Sequence, residues 1–202
     1  MIAKRPNILL IIAEQLQAGA MGCAGNEYVH TPAIDGMMAD GVAFQNAYAA
    51  NPACTPSRAA MFTGLMPHQV GALRFGDPIA ESFRDQELGN LLSQAGYDCV
   101  YGGKWHANEL TMVPQHGFRN MCDIDDVELP GRCASYLQTE HDRPFFMVAS
   151  FDNPHNICEW ARGEPLPWGE IEVPADAGEY PPLPPNHEAV SYEPYVIELW
   201  RK

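Results

Sequence analysis

The chain has 202 residues, 46% apolar and 19% charged, and carries a formal net charge of −14. That length supports one domain with a real hydrophobic core and makes a small disulfide scaffold unnecessary. The acid excess, with no cluster of Lys and Arg interleaved with aromatics, argues against nucleic-acid binding and against anionic lipid surfaces.

The first predicted element is Asn7 to Ala13, a continuous β-branched-rich run without polar alternation, as expected of a strand covered on both faces in a parallel sheet. It stops at Glu14 and Gln15. Its apolar stretch, Ile8 to Ala13, is far short of the ~20 residues that cross a bilayer. It is also too short for a signal-peptide core, and no small-residue cleavage site follows, so the cytoplasm is the expected location if Met1 is native, with export the alternative.

Thr31 to Gly41 predicts a short helix with Pro32 at its first position and a glycine at its end, with Val42, Phe44 and Tyr48 packed beneath it. Cys54 to Gly64 predicts a second helix, with Thr55 as its N-cap and Pro56 at its first position. A third helix is expected from Asp85 to Ala95, closed by Gly96 and followed by a strand at Asp98 to Tyr101. That strand runs into Gly102, Gly103, Lys104, Trp105 and His106.

Another strand, Phe145 to Ala149, ends in Ser150-Phe-Asp-Asn-Pro-His155. Three strands thus end in chemically capable residues, and in open α/β sheets ligands sit at the carboxyl ends of strands. From Glu164 to Pro194 there are eight prolines, and from Phe151 onward ten acids face three bases. This segment reads as an extended, solvated wrap leading into an amphipathic helix at Val196 to Lys202.

The six cysteines, at 23, 54, 99, 122, 133 and 158, contain no Cys-x-x-Cys pair, which argues against a zinc ribbon or disulfide framework and suggests a reducing compartment. Cys54 stands apart. A thiol at a helix N-terminus with Arg58 one turn along has the setting of a nucleophile of lowered pKa; a buried structural cysteine is the alternative. The Cys-x3-Arg spacing with an internal proline does not fit the Cys-x5-Arg phosphatase loop.

Cys54-Thr-Pro-Ser-Arg58 resembles the Cys-x-Pro-Ser-Arg signature of the type I, formylglycine-dependent sulfatases of the alkaline phosphatase-like superfamily. Arg5-Pro-Asn-Ile-Leu, Thr31-Pro-Ala-Ile-Asp35, Gly41-Val-Ala-Phe-Gln-Asn-Ala-Tyr48, Thr63-Gly-Leu-Met-Pro-His68, Gly103-Lys-Trp-His106 and Asn153-Pro-His155 are similar to successive motifs of that family, in its order, over residues 5 to 160.

The resemblance implies an α/β fold, a mixed, mostly parallel central sheet with helices on both faces. Residues 1–163 would be the N-terminal portion of the catalytic domain and 164–202 the extended segment, with the rest of the family domain absent.

By the same resemblance Cys54 is the precursor of formylglycine, whose hydrated aldehyde attacks sulfur with one hydroxyl and expels the sulfate with the other. A sulfated cysteine would instead need water to attack sulfur again. Arg58 and Lys104 supply fixed cations for the sulfuryl group, His106 holds or deprotonates a formylglycine hydroxyl, and His155 contacts the sulfate or protonates the leaving oxygen. The remaining histidines, His30, His68, His116, His141 and His187, read as structural or solvent-facing.

A divalent cation, calcium before magnesium, is implied at Glu14, Gln15 and Cys54. Here the chain departs from the family, which presents Asp-Asp or Asp-Gln where this sequence has Glu14-Gln15. The family's other metal donors and a second lysine fall in a later part that this sequence does not contain.

The implied reaction is hydrolysis of a sulfate ester to an alcohol and inorganic sulfate, on a sulfated small molecule or carbohydrate, with a formylglycine-generating enzyme as maturation partner. A non-catalytic sulfatase-like module and a related phosphoesterase are the alternatives. The run Asn153-Pro-His155 to Arg162 is similar to a subgroup of bacterial sulfatases associated with sulfated polysaccharides; Trp160 and Arg162 suit a sulfated ring but equally suit packing and an ion pair.

Overall fold

The computed structural model describes residues 5–107, 114–170 and 181–183. The element order is β1 (Ile8–Glu14), α1 (Pro32–Asp40), α2 (Cys54–Thr63), α3 (Pro67–Val70), α4 (Leu88–Gln94), β2 (Asp98–Gly103), β3 (Arg119–Cys122), α5 (Leu129–Leu137), β4 (Phe145–Pro154) and α6 (Ile157–Arg162). The four strands form one sheet in the order β1-β4-β2-β3, and every pairing is parallel. The chain divides into compact units at Met1–Glu170 and Ile171–Lys202. Among the described residues no helix is long and apolar enough to cross a membrane.

Helices cover both sheet faces, as an α/β sheet requires. On one face Phe62 of α2 and Leu88 and Leu92 of α4 join Ile8, Leu10, Tyr101, Phe118, Phe146 and Val148 in the largest core cluster. On the other, Cys133 and Tyr136 of α5 pack on Val100, Phe145 and Met147. The expected strands at 98 and 145 form and run further, to Gly103 and Pro154.

Several expectations are corrected. β1 is not covered on both faces: Leu10 and its even-numbered neighbours pack into the core, whereas Leu9 and Ile11 are about half exposed. They share a face with Met147, because Leu9 pairs with Met147, but α5 packs over β4 and β2 and not over this outermost strand.

Val42, Phe44 and Tyr48 do not pack beneath α1; they are 81%, 82% and 89% exposed. α1 has no fully buried residue, and its entrance is fixed by polar groups instead, with Thr31 and the Cys23 amide both bonded to Asp35.

Helix α2 starts at Cys54, with Ala53 as its cap position, so Thr55 is not the N-cap. The Thr55 hydroxyl accepts from the Gly76 amide at 3.0 Å and ties the loop after α3 to the helix instead. Pro56 then sits at the third helical position, where its missing N–H still costs nothing.

The helix expected over 85–95 is broken at Glu87, which is extended and separates a 3-10 turn (Glu81–Gln86) from α4. The reason is burial: Glu87 turns inward and bonds His116 beneath the Trp105 ring. Gly96 does close α4, at φ +90°. The expected terminal helix at 196–202, and His187, lie outside the described residues.

Candidate active site

Because β1, β4 and β2 are adjacent in the sheet, their carboxyl ends place Glu14, the Ser150–His155 stretch and Lys104–His106 side by side. Gly103 makes the last step possible. At φ +92° a Cβ there would lie 2.0 Å from the Ser150 carbonyl oxygen, so only glycine lets β2 turn this close to β4. The Lys104 amide then donates to that same oxygen at 2.9 Å.

Two non-glycine residues hold left-handed backbone at these strand ends, Gln15 at φ 64° and His106 at φ 43°. Such conformations persist where the surroundings over-determine them, and they cluster at functional sites.

Arg58, on the second turn of α2, is 2% exposed. Its Nη1 lies within hydrogen-bond reach of the Lys104 carbonyl at 2.5 Å, Ser150 Oγ at 3.0 Å, the Tyr101 hydroxyl at 3.1 Å and the Trp105 carbonyl at 3.2 Å. Its Nε donates to Glu14 Oε2 at 3.1 Å and its Nη2 pairs with the same oxygen. Lys104, also 2% exposed, donates from Nζ to Asp152 Oδ1 at 3.0 Å and stands 3.9 Å from Glu14 Oε1. Two buried cations therefore interlock with two carboxylates, the pairing that buried charge requires.

A cavity of about 490 Å³ opens on this cluster, lined by Glu14, Gln15, Cys54, Ser57, Arg58 and His155 among others. Cys54 is half-buried in its wall. Burial first, and then the Glu14 carboxylate beside it, push the Cys54 thiol above its ordinary value. The expectation of a lowered thiol pKa is thereby corrected: the short α2 dipole and the two cations are outweighed by desolvation and by Glu14, and the thiol is protonated at neutral pH.

Burial alone would raise the Glu14 carboxyl, yet the Arg58 and Lys104 charges hold it below the usual carboxylate range. His106 moves the other way for an imidazole, lowered to about 4 by burial and then by Lys104 and Arg58, so it is neutral at pH 7. Its Nδ1 is buried without a hydrogen-bond partner among the described residues. His155 is partly exposed, on the cavity wall, with Nδ1 3.9 Å from Asp152 Oδ1.

The residues that the sequence singled out, Glu14, Gln15, Lys104, His106 and His155 at strand ends and Cys54 and Arg58 on α2, thus gather in one region. Tyr101, Ser150 and Asp152 were missed, although Ser150 and Asp152 stand in the polar run that ends β4. Trp160 is exposed, and Arg162 is occupied by Glu159 and Glu164.

The implied cation fits only in part. Calcium takes about six to eight oxygens, whereas Glu14 is already bonded to Arg58 and Gln15 Oε1 accepts from Cys158 Sγ at 3.8 Å. Among the described residues no three His, Cys, Asp or Glu side chains form a metal-binding group.

The sequence and the fold have counterparts among known proteins. The Sulfatase family model matches residues 6–193. The chain is 33% identical over 174 residues to the Delta 4,5-hexuronate-2-O-sulfatase of Bacteroides thetaiotaomicron, covering 77% of this chain and 35% of that protein. It is 32% identical over 164 residues to the Ulvan-active sulfatase of Formosa agariphila, covering 76% and 31% respectively. The solved structure of a 2-O GAG sulfatase superposes with a TM-score of 0.72 at 29% identity, over 91% of this chain and 42% of that one. The matched region spans about a third of the length of the two curated relatives. With a family match across nearly its whole length and a parallel sheet whose strand ends carry the expected residues, the chain belongs to the sulfatase family.

Proposed function

We propose that this chain forms the nucleophile-bearing part of a sulfuric ester hydrolase that releases inorganic sulfate from a sulfated carbohydrate, with a 2-O-sulfated uronate as the leading substrate class. The observation that carries the reading is that Cys54 and Arg58 line one cavity, with Lys104 bonded to Arg58 through its carbonyl. The names of the relatives supply the sugar and the position of the sulfate.

Formylglycine made from Cys54 by a maturation enzyme supplies the hydrated aldehyde hydroxyl that attacks sulfur; the raised pKa of the unmodified thiol agrees with a nucleophile that is not a thiolate. Arg58 is locked by backbone and side-chain acceptors, so its positive charge is preorganised for the charge that develops on the sulfuryl oxygens. In this reading neutral His106 accepts a hydroxyl proton and His155, which lines the cavity, donates one to the leaving oxygen. A divalent cation, calcium, belongs to the same reading, with Glu14, Gln15 and residue 54 contributing to its shell and the remaining donors coming from outside the described residues.

The test is sulfate release from a panel of 2-O-, 4-O- and 6-O-sulfated disaccharides by the full chain made together with a formylglycine-generating enzyme. Release from the 2-O-sulfated members, abolished by Cys54→Ala, supports the reading; no release from any member contradicts it. A second reading, a sulfatase-like module without turnover, rests on Glu14 occupying the guanidinium that a sulfate would use.

A further inference from the structure

Asp152 stands in the polar run that ends β4 but in none of the motifs that carry the family resemblance, and its position is braced from several sides. Its backbone amide donates to Asp126 Oδ1 at 2.8 Å, and the next residue, Asn153, donates to Asp126 Oδ2 from its amide at 2.7 Å and from Nδ2 at 2.9 Å. The Asp152 Oδ1 accepts from Lys104 Nζ at 3.0 Å and stands 3.9 Å from His155 Nδ1. The other oxygen, Oδ2, accepts from Trp168 Nε1 at 3.3 Å, so the chain beyond α6 is fastened to the same carboxyl group.

A lysine is a point charge on a flexible four-carbon stem and does not fix its own direction. Arg58 needs no such help, because its planar fork is held by several acceptors. For Lys104 the other carboxylate at hand, Glu14 Oε1, is at 3.9 Å, beyond direct hydrogen-bond reach. We infer that Asp152 is a positioning residue: braced by Asp126 and Trp168, it takes one of the three ammonium donors of Lys104 and so directs the others toward the cavity where the sulfate group is held.

This inference rests on the proposed sulfatase reading. It extends that reading to residues 126, 152 and 168, and it makes Trp168 part of the site's support rather than part of a solvated wrap. Asp152 also subtracts a charge where an anion must bind, so its use is in direction and not in attraction. Removing its charge is therefore expected to leave the affinity for an anion intact while releasing the ammonium from its orientation.

The experiment uses the full chain, with inorganic sulfate as the probe and the ammonium resonance of Lys104 followed by NMR, assigned by its loss in Lys104→Met. In the wild type, sulfate is expected to bind and to shift that resonance. In Asp152→Asn, sulfate affinity is expected to stay within about threefold of wild type, since the change removes no attraction, while the Lys104 resonance broadens and its sulfate-induced shift disappears. Trp168→Phe, which deletes only the indole donor, should reduce the shift without abolishing it, and it serves if Asp152→Asn does not fold.

An unchanged Lys104 resonance and sulfate shift in both variants, with wild-type sulfate binding intact, overturns the inference and leaves the functional reading standing. Loss of sulfate affinity by about tenfold or more in Trp168→Phe, with the Lys104 resonance still sharp, also overturns it, because the bracing would then serve attraction. Failure of the wild type itself to bind sulfate overturns the functional reading, and the inference falls with it.

Discussion

The sheet's carboxyl-end rim and its β1 edge depart from ordinary burial in opposite ways. At the rim, charged and polar groups are buried: Arg58, Lys104 and Ser150 are almost wholly covered. At the edge, apolar groups are bare: Leu9 and Ile11 of β1 are about half exposed. A buried polar group and an exposed apolar patch are the two informative exceptions to hydrophobic sorting. The first is balanced inside this molecule, since each cation has carboxylate or carbonyl partners. Among the described residues the second has no cover. The rim is complete in itself and the edge is not, so substitutions should be costly at one and tolerated at the other.

The largest effect is expected at Arg58. Arg58→Ala leaves Glu14 and the inward-facing acceptors around Arg58 without their cation and should cost about 3–5 kcal/mol, as breaking a buried pair does; urea unfolding of the full chain checks this. A loss below about 1 kcal/mol would show that the cluster is wetter than the geometry indicates.

Next comes the covered part of the sheet. Met147 of β4 is fully buried between the strands and α5, and Met147→Ala should lose about 2–5 kcal/mol through lost burial and a cavity. Its register partner Leu9 offers the contrast.

A smaller effect is the pH dependence from His106. Its folded pKa of about 4 lies below the ordinary 6.5, so between those values the unfolded chain binds a proton that the folded site refuses. Stability is therefore full above about pH 6.5 and falls as pH drops toward 4. Glu14, also lowered, adds a loss below its ordinary value of 4.5. His106→Gln should flatten the melting-temperature slope between pH 6.5 and 4; an unchanged slope would place the titration elsewhere.

The smallest effect is expected at the edge. Leu9→Thr and Ile11→Thr should each change stability by about 0.5 kcal/mol or less, measured by the same urea titration. A loss above about 2 kcal/mol would mean that the edge is covered in solution.

What the sequence disclosed follows the same division. The strand-end residues were legible because parallel α/β sheets put ligands at carboxyl termini, and because Glu14-Gln15, Lys104-Trp-His106 and Asn153-Pro-His155 each follow one such end, while Cys54-Thr-Pro-Ser-Arg58 marks the start of α2. Their polar partners were harder to foresee: nothing local to Asp126 or Trp168 announces that both reach Asp152, since these contacts join residues 26 and 16 apart in sequence.

The break at Glu87 escaped because a helical pattern cannot show that its carboxylate turns in to meet His116. The exposure of Leu9 and Ile11 escaped because apolar alternation tells which residues want cover, not whether cover is supplied.

The claim that most needs a direct test is that Cys54 is the precursor of the nucleophile. Peptide mass spectrometry across residue 54, on the full chain from its native host, addresses it without requiring turnover. The account predicts formylglycine in place of the cysteine thiol; a cysteine found unmodified throughout would contradict it and favour the module without turnover.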